Sequence, residues 1–140
     1  MNYSRILVAA LAATVAYFVI GGLSFGLAPQ LAEEFRKYPA VYRSQESMKG
    51  VMPIGLAAMF VGMLVLAVLY AMNYRSGSGA AEGALFGALI GIFAVCAFVL
   101  HNYVNLNIGL KLTLQQAVAY FIEWTVVGIL IGVIYQPKGA

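Results

Sequence analysis

The 140-residue sequence is 63% apolar and only 9% charged, and its mean hydropathy is +0.90. A soluble domain carries about 25% charged residues, so this chain has too little polar surface to cover a water-facing exterior. The net charge of +3 is spread over loops without a run of Lys or Arg, which argues against nucleic acid as a partner. The composition predicts an integral membrane protein, with the lipid bilayer as its surroundings.

The first apolar run covers residues 6–28 and carries no charge over 23 residues. The apolar region of a signal peptide is about 7 to 15 residues long, so this run is predicted to be a retained membrane span. Gly22 and Gly26 lie four residues apart on it, a spacing that lets a second helix approach closely.

The interfacial loop 29–50 holds most of the charge of the chain. Four apolar or aromatic side chains recur in it at roughly helical spacing: Leu31, Phe35, Tyr38 and Tyr42. This pattern predicts a segment in the headgroup layer with its aromatic side chains towards the lipid, divided by Pro39. A docking surface or a lid over a cavity is one interpretation, and an ordinary interfacial linker is the favoured one.

The second span covers residues 51–72, with Pro53 predicted in its first turn, where the missing N–H costs nothing. Its methionines are interpreted as flexible packing side chains and not as copper ligands, because thioether sites cluster with other donors.

The third span covers residues 80–103 and begins with glycine at every fourth position: Gly79, Gly83, Gly87 and Gly91. On an α-helix this spacing leaves one strip almost bare of side chains, so a second helix can approach the backbone. The strip is predicted either within the bundle or at a contact between copies of the chain. Cys96, further along this span, is interpreted as a small buried hydrophobe.

The fourth span covers residues 113–135, with Thr113 as a reasonable N-cap and a further four-residue step at Gly128 and Gly132. Four spans connected in series predict an all-α fold, an integral membrane antiparallel four-helix bundle in a single domain, 1–140. Both termini are then on the same side of the membrane, and the charge count leaves the orientation open.

Glu123 falls near the middle of the fourth span, where a charged side chain costs roughly 2.5 to 3.5 kcal/mol on insertion scales. Gln116 and Tyr120 share its helical face, which is predicted to point into the bundle. A turn centred near residue 108 places His101 at the depth of Gln116, on the order of 11 Å from Glu123 at a rise of 1.5 Å per residue. The candidate polar site therefore comprises these four residues and Asn105, with bridging through Gln116, Tyr120 and water.

Two interpretations of this site remain open. It is either a polar track in which Glu123 exchanges a proton or neutralises a cationic substrate, or a structural contact in which a protonated Glu123 bonds another helix or a second subunit. The structural interpretation is favoured. A metal site needs three or four convergent donors, so no metal and no cofactor are predicted.

The stretch NLNIGLKLTLQQAVAYFIEWTVVGILIGVIY, residues 105–135, resembles the C-terminal half of small four-helix bacterial membrane proteins, known as domain of unknown function family 1761. FVIGGLSFG, residues 18–26, is similar to their first span. The residues that carry the resemblance are chiefly Gly21, Leu110, Lys111, Leu112 and Tyr120. The chain departs from the family at residues 24–27, which replace a Trp-Tyr-Ser-Pro turn. The resemblance implies only a four-helix membrane fold, and no activity can be carried over from it.

Abundant packing surface and sparse chemistry favour a non-enzymatic protein, and the resemblance implies the bacterial cytoplasmic membrane as its location. The predicted role is a self-associating unit or an accessory subunit, with a homo-oligomer or a larger membrane complex as its setting. The alternative is a small proton- or cation-coupled transporter or channel that uses Glu123. The third hypothesis is a membrane enzyme that binds a quinone or lipid near His101.

Overall fold

The computed structural model of the protein describes residues 1–74 and 78–136, so residues 75–77 of the predicted turn before the third span lie outside it. The described residues form five helices and no strand: α1 (Tyr3–Leu27), α2 (Pro29–Arg36), α3 (Gln45–Asn73), α4 (Gly79–Asn105) and α5 (Leu110–Tyr135). All of them except α2 are long and apolar enough to cross a membrane. The predicted all-α fold with four membrane-length helices is confirmed.

The helix α3 begins earlier than its apolar run. Ser44 is its N-cap, and the Ser44 hydroxyl accepts a hydrogen bond from the Ser47 backbone N–H at 3.3 Å. Pro53 therefore lies in the helix interior and not in the first turn, contrary to prediction. The prediction was wrong because hydropathy marks where a helix becomes apolar, whereas the cap fixes where it starts.

The helix α5 likewise starts before the predicted position. Gly109 is the N-cap and Leu110 the first helical residue, so the prediction of Thr113 as the cap was wrong. The Thr113 hydroxyl instead donates to the Gly109 carbonyl at 3.2 Å, the bond to the preceding turn that Thr makes inside helices.

The helix α4 changes its geometry along its length, with a π-helical stretch at Val95–Leu100 between two α-helical parts. Phe93 and Phe98 are five residues apart, yet their rings meet edge to face with centroids at 5.8 Å. In an α-helix, neighbours on one face are three or four residues apart, so this pair reflects the wider π turn. Cys96 in this stretch is exposed, and its prediction as a buried hydrophobe was wrong, since it faces away from the packed side of α4.

The helices pack with α5 in the middle, α4 on one side of it and α1 on the other, while α3 packs mainly on α1. Small residues of α1, completely buried, face α3 and α5 in the main core: Ala9, Ala10 and Ala13. Ile6 near the start of α1 joins Tyr70 at the end of α3 and Tyr135 at the end of α5 in the same core. These chain positions make neighbouring helices antiparallel, and we call this end of the bundle the Tyr135 end.

The opposite end of the bundle, which we call the α2 end, holds the end of α1, the helix α2 and the start of α5. The two ends differ in packing, because α3 is buried only in its second half, at Met63, Ala67 and Tyr70. Every residue of α3 from 52 to 58 is exposed. The first half of α3 thus stands apart from the core at the α2 end.

Candidate functional site

The helices α4 and α5 touch through their glycines. A Cβ built on Gly83 would lie 3.0 Å or less from backbone atoms of Gly128, and one on Gly87 would lie 2.9 Å from the Gly128 Cα. Gly132 packs against the backbone of Gly79 in the same way, and a Cβ built on Gly132 would lie 2.9 Å from the Gly83 Cα. The two main chains are therefore in direct contact, and the bare strip of α4 lies inside this chain, where a second copy cannot use it.

Gly91 continues this strip towards the α2 end with looser packing, since a Cβ built on it would lie 3.3 Å from Phe121. Gly22 and Gly26 of α1 behave differently: both are exposed, and a Cβ on either would meet no atom within 4 Å. The prediction that this pair packs against a helix is therefore not met within the chain. The reason is that α1 uses other faces, with its alanines packed against the core and Gly21 turned towards α5.

Glu123 lies between α5 and α1 and is only 6% exposed. Its carboxyl oxygen Oε1 is 3.5 Å from the position that a Cβ on Gly21 would take, so the missing side chain of this glycine leaves room for the carboxyl. No side-chain hydrogen bond or ion pair joins Glu123 to another residue within 1–74 and 78–136. The site therefore contains a buried carboxyl without a protein partner among those residues.

Two phenol groups accompany this carboxyl. Tyr17 of α1 and Tyr120 of α5 lie side by side. Tyr120 is one helical turn before Glu123, and Tyr17 is one turn before Gly21, which faces the Glu123 carboxyl. The ring of Tyr17 also stacks at a tilt on Trp124, with centroids at 5.5 Å. Sequence reasoning missed Tyr17 as a site residue, and the signal that could have found it is its place one helical turn before Gly21.

The polar side chains continue from this point towards the α2 end. Gln116 lies one turn before Tyr120 on α5, and its Nε2 donates to the Tyr42 hydroxyl at 3.3 Å. The Tyr42 phenol is also near that of Tyr120. We call the five residues Glu123, Tyr17, Tyr120, Gln116 and Tyr42 the polar track, which runs from the buried carboxyl to the α2 end.

His101 and Asn105, which were predicted to belong to this site, are not part of the track. Both side chains are exposed, and the Asn105 Nδ2 donates to the His101 backbone carbonyl at 3.3 Å. His101 lies 18 residues after Gly83, and Leu110 lies 18 residues before the paired Gly128, so His101 stands level with the start of α5. This depth is roughly 20 Å from Glu123 at 1.5 Å per residue, because the glycine contacts place His101 opposite Leu110 and not opposite Gln116.

The α2 end is closed by the segment 29–44, which folds onto the start of α5. Leu31 packs against Ile108 and Leu112 in a second small core. The Tyr38 hydroxyl accepts a hydrogen bond from the Gly109 backbone N–H at 2.9 Å. The apolar side of this segment was predicted to face lipid, and that prediction was wrong because the chain itself supplies the apolar partners.

A three-residue ion cluster fixes α2 to α5. The Glu34 carboxylate is 4% exposed, and it accepts hydrogen bonds from Lys37 and from Lys111, each at 2.6 Å. These ammonium groups hold the pKa of Glu34 below its usual range, and the carboxylate raises the pKa of Lys37. Only the Lys111 bond connects two helices, so it is the bond that attaches α2.

Acid is therefore expected to loosen the segment 29–44. The pKa of Glu34 is lower in the folded protein than its unfolded value of about 4.5, so the ionised carboxylate stabilises the fold at pH values above 4.5. This stabilisation is lost as the pH falls from 4.5 through the folded pKa. Hydrogen exchange of the amides of this segment, corrected for intrinsic rates, should speed up below pH 4 relative to the amides of α5. Glu34→Gln should show the faster exchange already at pH 7, and equal exchange in both proteins at all pH values would contradict the assignment.

Comparisons of the chain with protein-family models, with curated proteins and with solved structures each found no match. The resemblance to domain of unknown function family 1761 therefore stays a prediction. Within the described part of the chain, no group of three or more His, Cys, Asp and Glu side chains could hold a metal ion.

Proposed function

We propose that this chain is a small multi-pass protein of the bacterial cytoplasmic membrane that binds a proton or a small cation at Glu123 and carries it across the membrane, with the α2 end as one of the two openings. The single observation that carries the proposal is the buried Glu123 carboxyl, which has no protein partner among the described residues. A carboxyl in the middle of a membrane helix is costly, and such residues typically mark ion and proton pathways. As a carboxylate it neutralises a cation, and as an acid it holds a proton.

The rest of the polar track supplies a route between this carboxyl and the α2 end. A phenol both donates and accepts hydrogen bonds, so Tyr17 and Tyr120 can connect the carboxyl with water or with the next polar group. Gln116 holds the Tyr42 hydroxyl at the outer end of the route. Towards the Tyr135 end, Val127 and Ile131 are completely buried in the apolar core, so this arrangement opens to the α2 end only. Transport therefore needs a second arrangement that opens to the Tyr135 end, as in alternating access.

Flux in liposomes containing the purified protein tests this proposal. Vesicles with a pH-sensitive dye inside are exposed to a proton gradient, and parallel vesicles are exposed to Na⁺ and K⁺ gradients. We expect Glu123→Gln to lower the flux at least tenfold, to the level of empty vesicles, since the amide keeps the shape and loses the charge. Tyr120→Phe should lower it by a smaller factor, because the neighbouring Tyr17 phenol remains.

Two matched variants serve as controls. Glu46→Gln changes an exposed carboxyl in the first turn of α3, and Tyr103→Phe changes an exposed phenol on α4. Both should keep the flux of the unmodified protein. A Glu123→Gln protein as active as Glu46→Gln would overturn the proposal, as would unmodified protein that moves none of the three ions.

A second candidate function is a non-enzymatic accessory subunit that binds another membrane protein or a second copy. The observation that favours it is the first half of α3, where all residues from 52 to 58 are exposed. Such a subunit needs no ion pathway of its own, so it predicts no flux above that of empty vesicles in the same experiment. That result would leave the accessory role as the better explanation of the chain.

A further inference from the structure

A groove of about 700 Å³ opens on the outside of the bundle between the second half of α1, the helix α2 and the first half of α5. Most of its lining is apolar, with these side chains as the largest contributors: Leu23, Leu27, Leu31, Leu114, Val118 and Ile122. Its position beside two membrane-length helices means that its open side faces the acyl chains of the surrounding lipid. An apolar chain therefore fits along the part of the groove that α5 forms.

The end of the groove next to α2 carries a surplus of positive charge. Gln30 and Gln115 line the groove, and the ion pair of Glu34 with Lys111 lies one helical turn beyond them. Two ammonium groups share one carboxylate there, so the cluster has a net charge of +1. The side chains of Lys37 and Lys111 are 58% and 66% exposed, and each ammonium keeps donors that Glu34 does not use.

The wall of the groove between its apolar part and this charge holds an unpartnered amide. The Oε1 of Gln115 is buried and has no hydrogen-bond partner within the described residues. Buried polar atoms without a partner are rare in folded proteins and call for an explanation such as a missing ligand. Because this oxygen can only accept hydrogen bonds, its partner in the groove has to be a donor such as a hydroxyl group or water.

We propose that this groove binds one anionic phospholipid, with its phosphate on Lys37 and Lys111 and an acyl chain along Leu114 and Val118. The Gln115 Oε1 accepts a hydrogen bond from a hydroxyl group of the lipid headgroup or from water beside it. Charge complementarity selects this occupant, because an apolar groove with a cationic end matches a lipid with an anionic headgroup. The site is separate from Glu123 and does not depend on ion exchange there.

Native mass spectrometry of the full chain in detergent tests the proposal, with phosphatidylglycerol and phosphatidylcholine of identical acyl chains as probes. The protein should retain phosphatidylglycerol in preference to phosphatidylcholine. The double variant Lys37→Gln with Lys111→Gln should lower phosphatidylglycerol retention by roughly 25-fold, from about fivefold for each lysine near an anionic lipid. Lys49→Gln, which changes an exposed lysine in the first turns of α3, is the matched control and should change nothing.

Two further variants separate lipid binding from the attachment of α2. Glu34→Gln leaves both ammonium groups without their neutralising carboxylate, so it should raise phosphatidylglycerol retention, whereas a purely structural ion cluster would lower it. Ala119→Phe fills the groove and should lower the retention of both lipids. These two variants decide the question if the double lysine variant does not fold.

The proposal is overturned by equal retention of the two lipids in the unmodified protein. It is likewise overturned by a double lysine variant that retains as much phosphatidylglycerol as Lys49→Gln, or by a Glu34→Gln protein that retains less than the unmodified one.

Discussion

Replacing Gly83 with alanine is expected to destabilise the bundle by about 1 to 3 kcal/mol, the usual range for adding a methyl group to a packed interior. The added Cβ would fall within 3.0 Å of backbone atoms of Gly128 and Ile129, and a main chain cannot rotate away as a flexible side chain can. The helices α4 and α5 would have to separate, which removes contacts along the whole hairpin. Unfolding by SDS in mixed micelles, followed by the fluorescence of Trp124, the single tryptophan, measures the loss.

Gly22→Ala is the matched control for this change. A Cβ at Gly22 would meet no atom within 4 Å, so this substitution changes stability only through helix propensity. In a helix interior, alanine is more favourable than glycine by up to about 1 kcal/mol. The same substitution should therefore act with opposite signs at the two positions. Equal shifts at Gly83 and Gly22 would refute the close contact between α4 and α5.

The glycines show how far the sequence alone could lead. Four-residue steps on the third and fourth spans are visible in the sequence, and they indicate which face of each helix is bare. They do not indicate which two faces meet: Gly22 and Gly26 have the same spacing as Gly128 and Gly132, yet only the second pair lies against a helix of this chain. Which glycine pair packs against another helix depends on how the helices are arranged around α5. The spacing of residues within one helix carries no information about that arrangement.

The register of the contacts between α4 and α5 explains why His101 was misplaced. Its depth was predicted from a symmetric turn between two regular α-helices. The π-helical stretch Val95–Leu100 interrupts that regularity, and the pairing of Gly83 with Gly128 puts His101 at the start of α5. Hydropathy is insensitive to such a change because the stretch is apolar in either geometry.

The candidate site was predictable only where it lies on one helix. Gln116, Tyr120 and Glu123 share a face through their spacing, and the sequence therefore placed them together. Tyr17 and Tyr42 come from other elements, and their approach to Tyr120 depends on how α1 and the segment 29–44 pack against α5. That packing rests on contacts such as those of Leu31 with Leu112, which no periodic pattern indicates.

Replacing Glu123 with methionine is expected to stabilise the bundle by about 1 to 3 kcal/mol while ending ion exchange. A charged side chain at a helix centre costs roughly 2.5 to 3.5 kcal/mol, and here no hydrogen bond or ion pair with another described residue offsets that cost. Methionine is flexible enough to fill the space beside Gly21 with apolar atoms. Functional residues commonly lower stability in this way. A gain in stability on replacing Glu123 would be the opposite of the loss that is expected if Glu123 made a structural contact.

SDS unfolding followed by far-UV circular dichroism measures this change without relying on the neighbouring Trp124. Glu123→Gln is the informative companion, because it removes the charge but keeps a buried polar group, so its gain should be smaller than that of methionine. A methionine variant that is less stable than the unmodified protein by 1 kcal/mol or more would mean that Glu123 bonds α1 to α5 or one copy to another. The carboxyl would then be a structural contact, and an inactive Glu123→Gln protein would reflect lost packing and not a lost ion site.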